Sequence, residues 1–144
     1  MTKISNPKFS IAIPAYNRGD YLRQTLKSCL AQTVQDFEVV ISDNCSTENL
    51  QAIAESLHDP RIRYFRSDVP LVVAKNHERA VSLTVCEYVV CLHSDDLLLP
   101  NYLEEAGDAL DHRIEAAAVY SSIAILTGSK MNGCRPIPEL ARFV

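Results

Sequence analysis

Five short runs rich in β-branched and aromatic residues recur along the chain: FSIAIP at 9–14, DFEVVIS at 36–42, RIRYFR at 61–66, EYVVCLH at 87–93 and AAAVYSSIAIL at 116–126. Each has the length and composition of a strand. The segments between them change to a helical period. After Asp20, Leu22, Leu26, Cys29 and Leu30 fall on one face; after Ser46-Thr47, Leu50, Ile53, Ala54 and Leu57 do the same. A weaker helix is predicted over 73–84. A fourth starts at Pro100, in the first-turn position, and turns Leu103, Ala106 and Leu110 inward, with Gly107 weakening it. Nearly continuous apolar strands joined by helices predict an α/β fold. It is an open, mostly parallel, doubly wound sheet with helices on both faces and right-handed crossovers. Beyond residue 127, Gly, Pro and Lys break every period, so 128–144 is expected as a loop or tail of a single domain covering 1–144.

Composition narrows the function classes. A chain of 144 residues, 47% apolar, can build one core but not comfortably two. Its 18 acidic and 14 basic residues give a net charge of -4, without the basic stripe that a nucleic-acid partner requires. The five cysteines (Cys29, Cys45, Cys86, Cys91 and Cys134) lack CxxC spacing, which predicts reduced thiols and a cytoplasmic protein. Nowhere do the roughly 18 apolar residues of a membrane span occur in a row, and the N-terminal pattern is not that of a signal peptide.

The candidate chemistry lies just after the strands, because an open α/β sheet binds ligands beyond its carboxyl edge. Three polar stretches converge there: PAYNRGD at 14–20, SDNCSTE at 42–48 and HSDDLLLP at 93–100. Taken alone, Asp43, Asn17 and Asp20 are as well explained by turns and helix caps as by ligand binding. Asp95 and Asp96 are harder to explain that way. Adjacent carboxylates repel unless water or a cation screens them, and carboxylate oxygens suit Mg²⁺ or Mn²⁺, which can bridge to a phosphate. With four glycines and neither GxGxxG nor GxxxxGK[ST], a dinucleotide dehydrogenase or P-loop enzyme is disfavoured. A phosphoacceptor receiver is disfavoured too, since its acids would follow the first and third strands.

FSIAIPAYNRGDYLRQTLKSCLAQTVQDFEVVISDNCSTE, followed by CEYVVCLHSDDLLLPNYLEE, resembles the start of a family 2 glycosyltransferase of the GT-A fold, the nucleotide-diphospho-sugar transferase fold. The match is best over 8–112, and the nucleotide-sugar-binding region is expected over about 8–127. The resemblance implies transfer of a sugar from a nucleotide-diphospho-sugar, a UDP-sugar, to a saccharide or lipid-linked acceptor with Mn²⁺ or Mg²⁺. Pro14, Ala15, Tyr16 and Asn17 would line the base pocket, with Arg18 beside them. Asp43 would accept from the base edge or ribose. Asp95 and Asp96 would hold ribose and metal, and Lys75-Asn76 resemble the family's basic residue and Asn at the nucleotide. His93 stands where the family commonly has an acid, and Leu71 and Cys86 where it often has glycine. The general base and acceptor half are expected further along than this sequence reaches, which leaves a non-catalytic nucleotide-sugar-binding or interaction module as the alternative. Apolar surface exposed by that arrangement would favour a homo-oligomer.

Overall fold

The computed structural model describes residues 7–112, 117–119, 121, 123–127 and 130–135. Two compact units divide the chain after Glu105.

In the first unit β1 (Phe9–Ala15), α1 (Gly19–Leu30), β2 (Phe37–Asp43), α2 (Leu50–Glu55), β3 (Ile62–Arg66), α3 (Val73–Ser82) and β4 (Tyr88–Cys91) alternate without exception; α4 (Tyr102–Asp111) follows, and the division falls within it. The four strands form one parallel sheet in the order β3-β2-β1-β4. Parallel pairing delivers the chain from every strand to one edge. The register brings the ends of β1 and β2 level, with Ala15 opposite Asp43, and Cys91 at the end of β4 opposite Ala12.

The two faces of the sheet are chemically different. Phe9, Ile11 and Ile13 of β1 and Phe37, Val39 and Ile41 of β2 share one face, where they pack with Leu22, Leu26 and Cys29 of α1, Leu50 and Ala54 of α2, and Leu103. Removing a side chain such as Leu26 would cost about 2–5 kcal/mol. Burial pushes the Cys29 thiol up to about 12, so it behaves as a small apolar group. The opposite parity carries Ser10, Glu38 and Ser42, all buried under α3. Ser10 Oγ donates to Glu38 Oε1 at 2.6 Å and Arg63 Nη1 to Glu38 Oε2 at 2.6 Å. Burial alone would raise the Glu38 carboxyl. The hydrogen bonds from Ser10, Arg63 and the Val85 amide outweigh it and hold the group below its ordinary value.

Several boundaries shift for local reasons. Helix α1 starts at Gly19, before Asp20, and α2 is capped by Asn49, whose side chain accepts from the Ala52 amide, instead of by Ser46-Thr47. Leu57 lies beyond α2 yet still packs against the core. Helix α4 begins two residues after Pro100, because the Leu99 and Pro100 carbonyls accept from Gln32 Nε2 and the Thr33 amide, anchoring that turn to the end of α1. A side chain at Gly19 would meet Ile53 Cδ1 at 2.3 Å, so glycine permits the close approach of α1 and α2.

The second unit contains β5 (Ile123–Thr127) and β6 (Lys130–Arg135), an antiparallel pair with an irregularity between Ala124 and Ile125. The 116–126 run thus contributes a hairpin strand, paired to β6 and not in parallel. The loop or tail expected over 128–144 contains a strand. Ladder hydrogen bonds come from the backbone, so KMNGCR can pair without the apolar alternation that would have announced it. Residues 136–144 and part of the 116–126 run lie outside the described residues.

Candidate functional site

The loops after β1 and β2 are tied together residue by residue. Asn17 and Arg18 both adopt left-handed backbone, φ 52° and 58°, a conformation that Asn tolerates better than most and that costs a residue such as Arg roughly 1–2 kcal/mol. The compensation comes from the second loop. Asn17 Oδ1 accepts from the Thr47 amide at 2.9 Å, Thr47 Oγ1 at 3.1 Å and the Glu48 amide at 3.2 Å, while the Asn17 amide donates to Ser46 Oγ at 2.8 Å. Glu48 returns the arrangement: its carboxylate accepts from the Arg18 amide at 2.9 Å and the Gly19 amide at 2.7 Å. The positive end of α1 is therefore neutralised from within, and this helix start is closed to a phosphate.

Asp43 sits at the end of β2 with no exposure to solvent. One carboxylate oxygen accepts from the Ser46 amide and hydroxyl; the other accepts from Tyr64 Oη and, at 2.9 Å, from Arg66 Nη1. Burial, and then the bond to Asp43, pushes the Tyr64 phenol up to about 12. Asn44 extends the tie to the next loop, exchanging hydrogen bonds with the Leu71 backbone at 2.7 and 2.9 Å.

The loop after β4 is different in kind. His93, Asp95 and Asp96 are all exposed, and one ligand atom from each lies within 4.8 Å of the others. The loop is pinned from behind, by Thr25 Oγ1 donating to the Ser94 carbonyl at 3.0 Å and the Leu98 amide donating to Ser28 Oγ at 3.1 Å. Its front is linked to the first loop through Arg18 Nη1, 2.9 Å from Asp95 Oδ2.

The three loops and the first turns of α3 line an open cavity of about 250 Å³. Pro14, Ala15, Tyr16, Arg18, Asn76 and Asp95 line it. Asn17 and Asp43 lie behind the lining, where they shape the loops. Asn76 does double duty: it is 4% exposed and clasps Ser42, accepting from its hydroxyl at 2.8 Å and donating to its carbonyl at 3.0 Å. Lys75 lies off the cavity, pairing with Glu78 one turn on at 2.6 Å. Five lining residues were not singled out as nucleotide contacts beforehand: Asn44, Val73, His77, His93 and Ser94. The departure of HSDD from the family's acidic motif flagged His93; nothing in the sequence pattern flagged His77.

The family model described as Glycosyl transferase family 2 matches residues 10–130, which include all three loops. The chain belongs to glycosyl transferase family 2. Among relatives, it is 36% identical over 101 residues to WcaA of Escherichia coli (strain K12), a glycosyl transferase by name, covering 69% of this chain and 36% of that protein. It is 38% identical over 100 residues to a chondroitin synthase of Pasteurella multocida (strain Pm70), covering 68% of this chain and 10% of that one. The chain thus spans about a third of the length of the first relatives it matches. Among solved structures, S. aureus TarS 1–349 in complex with UDP superposes with a TM-score of 0.68 at 27% identity, over 74% of this chain and 33% of that one. The Pyrobaculum calidifontis mannosyltransferase PcManGT, solved with GDP-Man and Mn²⁺, shares the fold at a TM-score of 0.66 and 20% identity. The parallel sheet is that of a GT-A glycosyltransferase. Among the described residues no helix is long and apolar enough to cross a membrane.

Proposed function

We propose that this chain is the donor-binding part of a glycosyltransferase that transfers a sugar from a nucleotide-diphospho-sugar, with a UDP-sugar as the first candidate. The observation that carries the reading is the convergence of three loops, Pro14–Arg18, Asp43–Glu48 and His93–Asp96, around one cavity at the carboxyl edge of the sheet. Pro14, Ala15, Tyr16 and Asn44 offer a semi-apolar wall with amide groups to a base. Asp43, buried behind this wall, holds the β2 loop in place through Ser46, Tyr64 and Arg66. UDP in the related TarS structure supports the choice of nucleotide.

The residues present fit a divalent cation. Asp95, Asp96 and His93 supply two carboxylates and an imidazole at mutually compatible separations, and Arg18 engages only one oxygen of Asp95. This mixed oxygen and nitrogen set suits Mn²⁺ better than Mg²⁺. A cation there would offset the charge that develops on the departing nucleoside diphosphate. The chain's own contribution is to hold the donor. The loop knot at Asn17 and Glu48 keeps the base wall fixed, and Arg18 places a second positive charge at the diphosphate end. An acceptor and a carboxylate that deprotonates it complete the proposed reaction.

Calorimetric titration of UDP, UDP-sugars and GDP-sugars into the chain, with Mn²⁺ present, tests the reading. Saturable binding to one uridine or guanosine series is expected. Absence of binding in both would overturn it.

A further inference from the structure

Arg18 is the only arginine or lysine among the described residues that line the cavity, and it bridges two of the loops around it: Nη1 donates to Asp95 Oδ2 at 2.9 Å. The backbone at both ends of that bridge is fixed. The Arg18 amide donates to Glu48 Oε1, and the Arg18 carbonyl accepts from the Tyr21 and Leu22 amides at 3.1 Å each. On the other side Thr25 holds the Ser94 carbonyl, and the Asp96 amide donates to the His93 carbonyl at 3.1 Å. The bridge itself is weak. Its two side chains are 65% and 41% exposed, so solvent screens the pair. Arg18 can therefore leave Asp95 by side-chain rotation alone, with neither loop rearranged.

Asp95 is also one of the three residues whose ligand atoms are close enough together to hold a cation. A guanidinium and a divalent ion on one carboxylate are like charges in close contact, and they repel. The ion carries twice the charge and displaces so weak a partner. The released guanidinium stays tethered beside the cavity, and its planar fork matches the oxygens of a phosphate.

We propose that Arg18 holds the cation's place at Asp95 until a nucleoside diphosphate arrives, and passes to the diphosphate as the ion takes the carboxylate. The exchange rests on the donor-site reading above. Arg18 thereby opposes binding of the ion alone and favours binding of ion and nucleotide together, which makes the two more cooperative than their mutual attraction would.

The test follows free Mn²⁺ by electron paramagnetic resonance in titrations of the chain, its Arg18→Ala and Arg18→Lys variants, and Asp95→Asn with and without Arg18→Ala. Each is titrated alone and with UDP, or with GDP if the guanosine series is the one that binds, after subtraction of the Mn²⁺ taken up by the nucleotide itself. Thermal unfolding is monitored alongside. Loss of a screened competitor predicts about two- to fivefold tighter Mn²⁺ binding by R18A without nucleotide. Calorimetric affinity for the nucleotide at saturating Mn²⁺ is expected to fall about tenfold in the same variant, with R18K, which keeps the charge but not the fork, between it and wild type. The opposite signs mark the exchange, because a substitution that merely loosened the loops would weaken both ligands. In the Asp95→Asn background the gain in Mn²⁺ binding should vanish. Unchanged or weaker Mn²⁺ binding by R18A, a gain that persists with Asp95→Asn, or an unchanged nucleotide affinity would overturn the exchange while leaving the donor site standing. Nucleotide binding without Mn²⁺ uptake by any chain would overturn the cation site and the role of Arg18 together, and absence of both would overturn the donor site itself.

Discussion

The two acidic positions at the carboxyl edge of the sheet are built in opposite ways. Asp43 ends a fully buried strand and has all its neighbours supplied by the protein: Ser46, Tyr64 and Arg66. Asp95 and Asp96 follow a short strand at the border of the four-stranded sheet, where residues alternate between half-buried and exposed, and they face outward with His93. A buried, fully paired carboxylate organises structure, because removing it strands several partners at once. An exposed acidic cluster contributes little to stability, and its repulsion makes it receptive to a cation. The first half of the site is thus a scaffold, and the second is the exposed surface on which the proposed cation site rests.

This contrast is broken or sharpened by a graded series. Asp43→Ala should have the largest effect on stability, about 2–3 kcal/mol in urea denaturation, since Tyr64 and Ser46 lose their acceptor. Part of the Arg66 contact is screened by solvent and adds less. A loss below about 0.5 kcal/mol would mean that the Asp43 hub is not structural. Glu48→Ala should cost about 1 kcal/mol, the usual worth of a helix cap, because both the Arg18 and Gly19 amides lose their partner. Asp95→Asn/Asp96→Asn should change stability by less than about 0.5 kcal/mol, an outcome that a denaturation curve run beside Asp43→Ala checks directly.

Acid sharpens the same contrast on the structural side. Glu38 and Asp59 both have carboxyls held below their ordinary values of 4.5 and 3.8. In Glu38 the hydrogen bonds from Ser10, Arg63 and Val85 overcome the effect of burial; in Asp59 the cause is the Arg61 side chain. Because the folded values are depressed, their contribution is present above the unfolded values and disappears as the pH falls through the folded ones. Urea midpoints measured downward from about pH 6 should fall below the ordinary carboxylate range, and Glu38→Gln should flatten that decline. A decline of unchanged slope in Glu38→Gln would remove Glu38 from the cause.

What could be read from the sequence follows the same division. FSIAIP and DFEVVIS read as strands because both sides of β1 and β2 are covered. The acidic pair was visible because adjacent like charges need a reason. Glu48 as the cap of α1, the Asn17 hub and the Ser10–Glu38–Arg63 layer were not visible, since each joins residues 25 or more positions apart and depends on strand register. His77 was hidden differently: only the fold brings its ring against His93 at the cavity. Strand β6 escaped because pairing, not side-chain pattern, makes it a strand.

The central claim, a cation-assisted donor site at the acidic loop, is tested most directly by electron paramagnetic resonance of Mn²⁺. The signal of free Mn²⁺ should diminish when the chain and UDP are added together, and should persist with the Asp95→Asn/Asp96→Asn chain at the same concentrations. A signal equally diminished by both chains, or by neither, would contradict the assignment of these two carboxylates to the metal.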